Sequence, residues 1–174
     1  RLEEIKGMDL VVPAFAQVKK RYPDTRLVIV GDGSLRVKMQ RQVQECDCTD
    51  NVEWAGCQPQ ESLSGWYRRM DIVLMPSRSE GFGLTAIEAM ANGCVVVASR
   101  VGGLPEVVQD GEVGLLHECG SMGDMAEKII SLIADPELLQ RYSVEAMQYV
   151  HRYGFERYSH LFNDLYKRLV TVKQ

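Results

Sequence analysis

The chain has 174 residues, of which 45% are hydrophobic and 25% charged, and its net charge is −4. That length fits one ordinary domain and falls short of two full α/β domains, and the balance excludes disordered, collagenous and membrane-spanning chains. The acidic excess, with basic residues such as Lys19, Lys20, Arg21, Arg36, Lys38 and Arg41 scattered over helix surfaces and ends, argues against nucleic acid as a partner.

No apolar run approaches the roughly 20 residues of a spanning helix, and no charged leader precedes a hydrophobic stretch. A soluble, cytoplasmic protein is the expectation. The five cysteines (Cys46, Cys48, Cys57, Cys94 and Cys119) form an odd set without a Cys-x-x-Cys pair, so neither a disulfide framework nor a zinc site is expected.

In chain order, apolar residues at helical spacing predict a helix over 6–22, closed by Pro23 and Asp24. RLVIVG (26–31) predicts a strand ending at a glycine turn. A polar helix over 35–45, a strand over 52–56, a helix over 61–70 and a strand over 71–76 continue the alternation. A helix over 84–92 and a strand over 94–99 follow. The strand runs are continuously apolar, as strands buried on both faces require, and the pattern predicts a doubly wound parallel sheet with helices on both faces. Beyond Ser99 come glycine turns and a short run, VGLL (113–116). Three helical stretches over 122–134, 137–150 and 155–171 close the chain, punctuated by Asp135-Pro136 and Tyr153-Gly154.

The whole chain therefore reads as one domain over 1–174. It opens on RLEEIKG with no strand before it, although a doubly wound sheet needs a first strand to feed that loop. The expectation is that this strand, and more protein, lie upstream of Arg1.

The stretch SEGFGLTAIEAMANG (79–93) leaves the carboxyl end of one buried strand, which is where open parallel sheets bind ligands. Gly81 and Gly83 bracket Phe82 and open onto a helix whose first amides, from about Leu84 and Thr85, are free to face an anion such as phosphate. A plain tight turn accounts for the two glycines equally well. Glu80 precedes the loop, and Glu88 shares a polar stripe with Thr85 and Asn92 on the helix. Carboxylates near a sheet end need hydrogen-bond donors, and vicinal sugar or ribose hydroxyls supply them. The bland alternative is an exposed helix residue and a loop charge.

Glu80 and Glu88 form a Glu-x7-Glu pair, and EGFGLTAIEAMANGCVVVASRVGGLPEVVQDGEVGLL (80–116) resembles the signature of retaining glycosyltransferases with the GT-B fold, above all the GT4 family. RLEEIKG (1–7), VIVGDG (28–33), NVEWAG (51–56) and DIVLMPS (71–77) match in the same order, so the likeness covers nearly the whole chain. It implies the Rossmann-like, donor-binding C-terminal half of that fold, with the acceptor carried by an N-terminal domain absent from this sequence.

Carried over residue by residue, the resemblance implies that Arg1 and Lys6 clamp the donor diphosphate and stabilise the leaving nucleoside diphosphate. Glu80 contacts the donor sugar, Glu88 the ribose hydroxyls, and the backbone of Gly81, Phe82, Gly83, Leu84 and Thr85 the phosphates. Gly31 and Gly33 line the nucleotide side, Cys57 and Gln58 meet the base through main-chain groups, and Leu63 packs on it. The partners implied are a UDP-, GDP- or ADP-sugar and an acceptor glycan, lipid or small molecule, with a membrane-peripheral setting through the absent domain. No cofactor and no metal are implied. Asp32 and Asp71 read as turn and strand-start residues, and His117, His151 and His160 as structural or exposed. The last helix resembles one that packs on the absent domain in relatives.

Two rivals share parts of this pattern. A sugar-nucleotide 2-epimerase has the same fold but a different signature, and the intact Glu-x7-Glu followed by GGLPE (102–106) favours transfer. A non-catalytic binding or regulatory α/β module, such as a receiver domain, would need an acidic cluster that the surroundings of Asp32 and Asp71 do not supply.

Overall fold

A computed structural model describes residues 1–171, without the side chains of Glu156, Tyr158, His160, Leu169 and Thr171, so the expectation for His160 lies outside the described residues. Five strands, β1 (Leu27–Val30), β2 (Val52–Gly56), β3 (Ile72–Met75), β4 (Val95–Ser99) and β5 (Gly114–His117), all pair in parallel. Helices α1 (Val11–Arg21), α2 (Arg36–Glu45), α3 (Leu63–Tyr67) and α4 (Leu84–Ala91) alternate with them, and α5 (Leu104–Val107), α6 (Met122–Ala134), α7 (Pro136–Val150) and α8 (Phe155–Thr171) follow.

The period of two along β4 sets the layers. Val96 and Ala98 enter a core with Met75, Met90, Leu104, Val107 and Ala146, while Val95 and Val97 enter another with Ala14, Val18, Met125, Ile129 and Leu132. Helices therefore cover both faces. A third cluster, with Leu2, Val12, Phe15, Ile29, Met39 and Val43, binds α1 and α2 to β1.

The strands form two sheets, β1-β2 and β3-β4-β5, where one was expected. Only β4 is buried along its whole length; β1 and β3 are partly exposed, contrary to the expectation from their continuous apolar runs. The reason is the space between them. A cleft of about 1250 Å³ runs between the facing edges of β1 and β3 and is lined by both. The Gly31 amide donates to Gly56 and the Val95 amide to Asp71, so by alternation the backbone groups of Val28, Val30, Ile72 and Leu74 turn toward the cleft.

Other differences are local. The first predicted helix starts only at Val11, because Gly7, at φ 65°, separates two short 3-10 turns at Glu4–Lys6 and Met8–Leu10. A side chain at Gly7 would strike the Pro76 carbonyl. The helix predicted over 61–70 shortens to a 3-10 turn at Gln60–Ser62 running into α3. α5 lies in the stretch expected to be glycine turns alone. Exposed apolar residues on α8 include Phe155, Phe162, Leu165 and Tyr166.

Candidate functional site

The site begins with what holds residues 1–9. The Leu2 amide donates to the Asp32 carbonyl at 3.0 Å and the Arg78 amide to the Ile5 carbonyl at 2.9 Å, so this segment bridges the carboxyl ends of β1 and β3. The Arg78 guanidinium grips both oxygens of Asp9, at 2.7 and 2.8 Å, and the Glu4 carbonyl. This fork holds the Asp9 carboxyl below its usual range. The consequence lies at Lys6, whose Nζ donates to Glu80 Oε2 at 2.7 Å across 74 residues of sequence. Glu80 is only 15% exposed in its side chain and Lys6 30%, so the pair is shielded on the carboxylate side.

The backbone of Glu80 is pinned as well. The Gly103 amide donates to its carbonyl at 3.2 Å, and at Gly102, at φ 52°, any Cβ would collide with that carbonyl. Gly83, at φ 93°, turns the chain into α4, whose first bond runs from the Ala86 amide to the Gly83 carbonyl. The amides of Leu84 and Thr85 are thereby the spare donors of the first turn.

Glu88 sits one turn further on and is held by neutral donors. Gln60 Nε2 donates to Oε1 at 3.2 Å and the Tyr67 hydroxyl to Oε2 at 3.1 Å. Asn92 Nδ2 donates to the Glu88 carbonyl, and Ser64 Oγ to Asn92 Oδ1, so α3 and α4 are tied together beneath the carboxylate. Burial, reinforced by the neighbouring Glu88 charge, pushes the Tyr67 hydroxyl well above its ordinary pKa and keeps it a donor.

Arg1, Lys6, Gly31, Cys57, Gln58, Leu63, Glu80, Thr85 and Glu88 line the one cleft. The Gln58 side chain donates back to the Ala55 carbonyl, which turns it to its own loop. Five expected residues are not among those lining the cleft. They are Gly33, where a side chain would collide with the Leu2 carbonyl, the loop residues Gly81, Gly83 and Leu84, and Phe82, which packs edge-on against Tyr153 at 5.8 Å. Asp32 is a turn residue as expected: its carboxylate accepts from the Gly33 amide and pairs with Arg36. His117 is buried and His151 exposed.

Sequence reasoning missed Gln60 and Tyr67, which sit 28 and 21 residues before Glu88. No spacing in the chain signals that contact. Chemically, the end of the cleft at the strand carboxyl termini offers two cations, Arg1 and Lys6, two acceptor carboxylates and the free amide of Thr85.

This is an α/β domain whose cleft carries charged groups at the carboxyl ends of parallel strands. The profile of the family described as glycosyl transferases group 1 matches residues 1–149. A D-inositol 3-phosphate glycosyltransferase of Segniliparus rotundus is 36% identical over 160 residues, covering 90% of this chain and 36% of that protein. Among solved structures, sucrose-phosphate synthase from Thermosynechococcus elongatus superposes with a TM-score of 0.86 at 31% identity, covering 99% of this chain and 44% of the other. HepE from Anabaena, whose crystal structure holds UDP and glucose, superposes at 0.81 with 25% identity over 87% of this chain and 42% of its own. The chain belongs to the group 1 glycosyl transferases, and its fold is that of the GT-B enzymes. It spans less than half the length of each of these three relatives.

Proposed function

We propose that the chain is the nucleotide-sugar-binding half of a two-domain retaining hexosyltransferase. The observation that carries this is the placement of Lys6, Glu80, Thr85 and Glu88 on one cleft at the carboxyl ends of the strands. A donor diphosphate draws Lys6 away from Glu80, which frees that carboxylate for the hydroxyls of the sugar. Arg1 joins Lys6 on the phosphates. Negative charge grows on the leaving phosphate as the glycosidic bond breaks, so preorganised cations and helix-end amides stabilise the transition state more than the ground state. Glu88 holds the ribose hydroxyls, and the Cys57–Gln58 backbone meets the base, with Leu63 packing beside it. Arg1 and Lys6 supply the positive charge, and no metal or cofactor is needed. A UDP-sugar is the first donor to try, since HepE holds UDP and glucose.

The remaining assignments concern protein outside this chain. In a parallel ladder the Leu2-to-Asp32 bond continues backward through Val30 and Val28, the residues whose backbone faces the cleft. A central strand formed by the residues before Arg1 fits that register, with Ile72 and Leu74 on its other side. It would join the two sheets into one. An N-terminal domain would hold the acceptor glycan, lipid or small molecule and cover the apolar face of α8. No helix among the described residues is long and apolar enough to cross a membrane. We assign the protein to the cytoplasm, with membrane contact, where it occurs, through that further domain.

Isothermal titration of this chain with UDP-, GDP- and ADP-glucose tests the donor assignment. One of the three binds in the micromolar to millimolar range, without sugar transfer. Silence from all three at millimolar concentration overturns it.

A further inference from the structure

The side-chain donors that hold Glu88 both come from outside the Glu-x7-Glu loop. A carboxylate has about four acceptor positions, two on each oxygen. Gln60 occupies one on Oε1 and Tyr67 one on Oε2, at 3.2 and 3.1 Å. One position per oxygen remains, and a vicinal diol can fill the two with its two hydroxyls. All three residues line the same cleft, so the diol and the two protein donors reach the carboxylate together.

We infer that Tyr67 and Gln60 are positioning residues that set the Glu88 carboxylate for a vicinal diol, and that this grip makes the cleft select ribose over deoxyribose nucleotides. The inference rests on the donor-cleft assignment above. Tyr67 is suited to the role because its ring is anchored: it packs against the core beside β4, and the Cys94 thiol donates to its backbone carbonyl at 3.1 Å. Its hydroxyl stays protonated through the neutral and mildly alkaline range, so it cannot become a second anion facing Glu88. Gln60, on an exposed 3-10 turn, has less support and makes the weaker half of the clamp.

The test compares UDP, GDP and ADP with their 2′,3′-dideoxy analogues on the unaltered chain, then repeats the best pair on Tyr67→Phe and Gln60→Ala. The unaltered chain is expected to favour the ribonucleotide by about tenfold or more, the scale of hydrogen bonds to a charged group. Tyr67→Phe keeps the ring and loses the hydroxyl; it should narrow that preference to roughly threefold or less while leaving the dideoxy affinity within about twofold. Gln60→Ala should narrow it less. A preference unchanged in Tyr67→Phe, or equal weakening of both nucleotides, overturns the positioning role, since a packing role would act on both alike. If the unaltered chain binds ribo and dideoxy forms equally, the diol grip falls and the donor cleft stands. If it binds none of the three nucleotides, the donor cleft falls and the inference with it.

Discussion

The two carboxylates that line the cleft are held in opposite ways. Glu80 is paired with a cation, Lys6, which arrives on a segment braced by the Arg78–Asp9 fork, whose two members lie 69 residues apart in sequence. Glu88 is held by two neutral donors, one from the neighbouring helix α3 and one from the 3-10 turn that leads into it. A neutralised pair can exchange partners when an anion arrives, because the incoming charge competes for the same ammonium. A carboxylate held by neutral donors has no cation to lose to an incoming anion and keeps its direction. On the proposed function, the Glu80 end of the cleft responds to phosphate and the Glu88 end stays fixed.

Removing Lys6 should break this contrast most severely. In the full-length enzyme, Lys6→Met is expected to lower kcat by about 10²–10³, the cost of deleting one preorganised group that meets developing charge, with a smaller change in KM. Steady-state kinetics decides it; an effect confined to KM would place Lys6 in ground-state binding alone.

Next in size is the brace. Arg78→Met removes the guanidinium from the Asp9 carboxylate and leaves the Glu4 carbonyl to the Gly7 amide alone, and should lower stability by about 2 kcal/mol in chemical denaturation. Nucleotide affinity should fall with it, while the preference for ribose at the Glu88 end is kept. Loss of that preference would show that the two ends are not independent. Gly102→Ala forces a side chain against the Glu80 carbonyl at a positive φ, and should lower stability by roughly 1–3 kcal/mol and weaken nucleotide-sugar binding.

The smallest effects sharpen the comparison through pH. The Asp9 carboxyl is held below its unfolded value, so the unfolded state binds more protons in acid, and this stabilisation is lost as pH falls below about 4. The Tyr67 hydroxyl is raised, so the folded state keeps its proton longer, and this stabilisation is lost as pH rises above about 10. Arg78→Met should flatten the acid limb of the stability profile and Tyr67→Phe the alkaline limb. A variant that flattens both limbs would contradict the separation.

Much of this architecture was legible in local pattern. The bounds of β2 and α6 coincide with those read from apolar runs and helical spacing. Asp135-Pro136 was read as a break, and it is the start of α7: the Asp135 carboxylate accepts from the Leu138 amide, with Pro136 in the first turn. The short helix α5 was not legible, because four residues inside a glycine-rich stretch carry no period. The cleft between β1 and β3 was not legible either, since a strand's apolar run reports which residues prefer burial and not whether the neighbouring strand is present. At the site, Glu80, Glu88 and Lys6 stood out by motif, whereas Tyr67 read as one more residue of a covering helix.

By itself the sequence determined the order of elements, the glycine turn at Gly83, and which residue types stand at the carboxyl ends of the strands, because these depend on neighbours within a few residues. Tertiary structure alone decided which partner each acid would have. Lys6 meets Glu80 and Tyr67 meets Glu88 only after the strands have paired and the helices have docked, and the same packing excludes enough water for those contacts to matter.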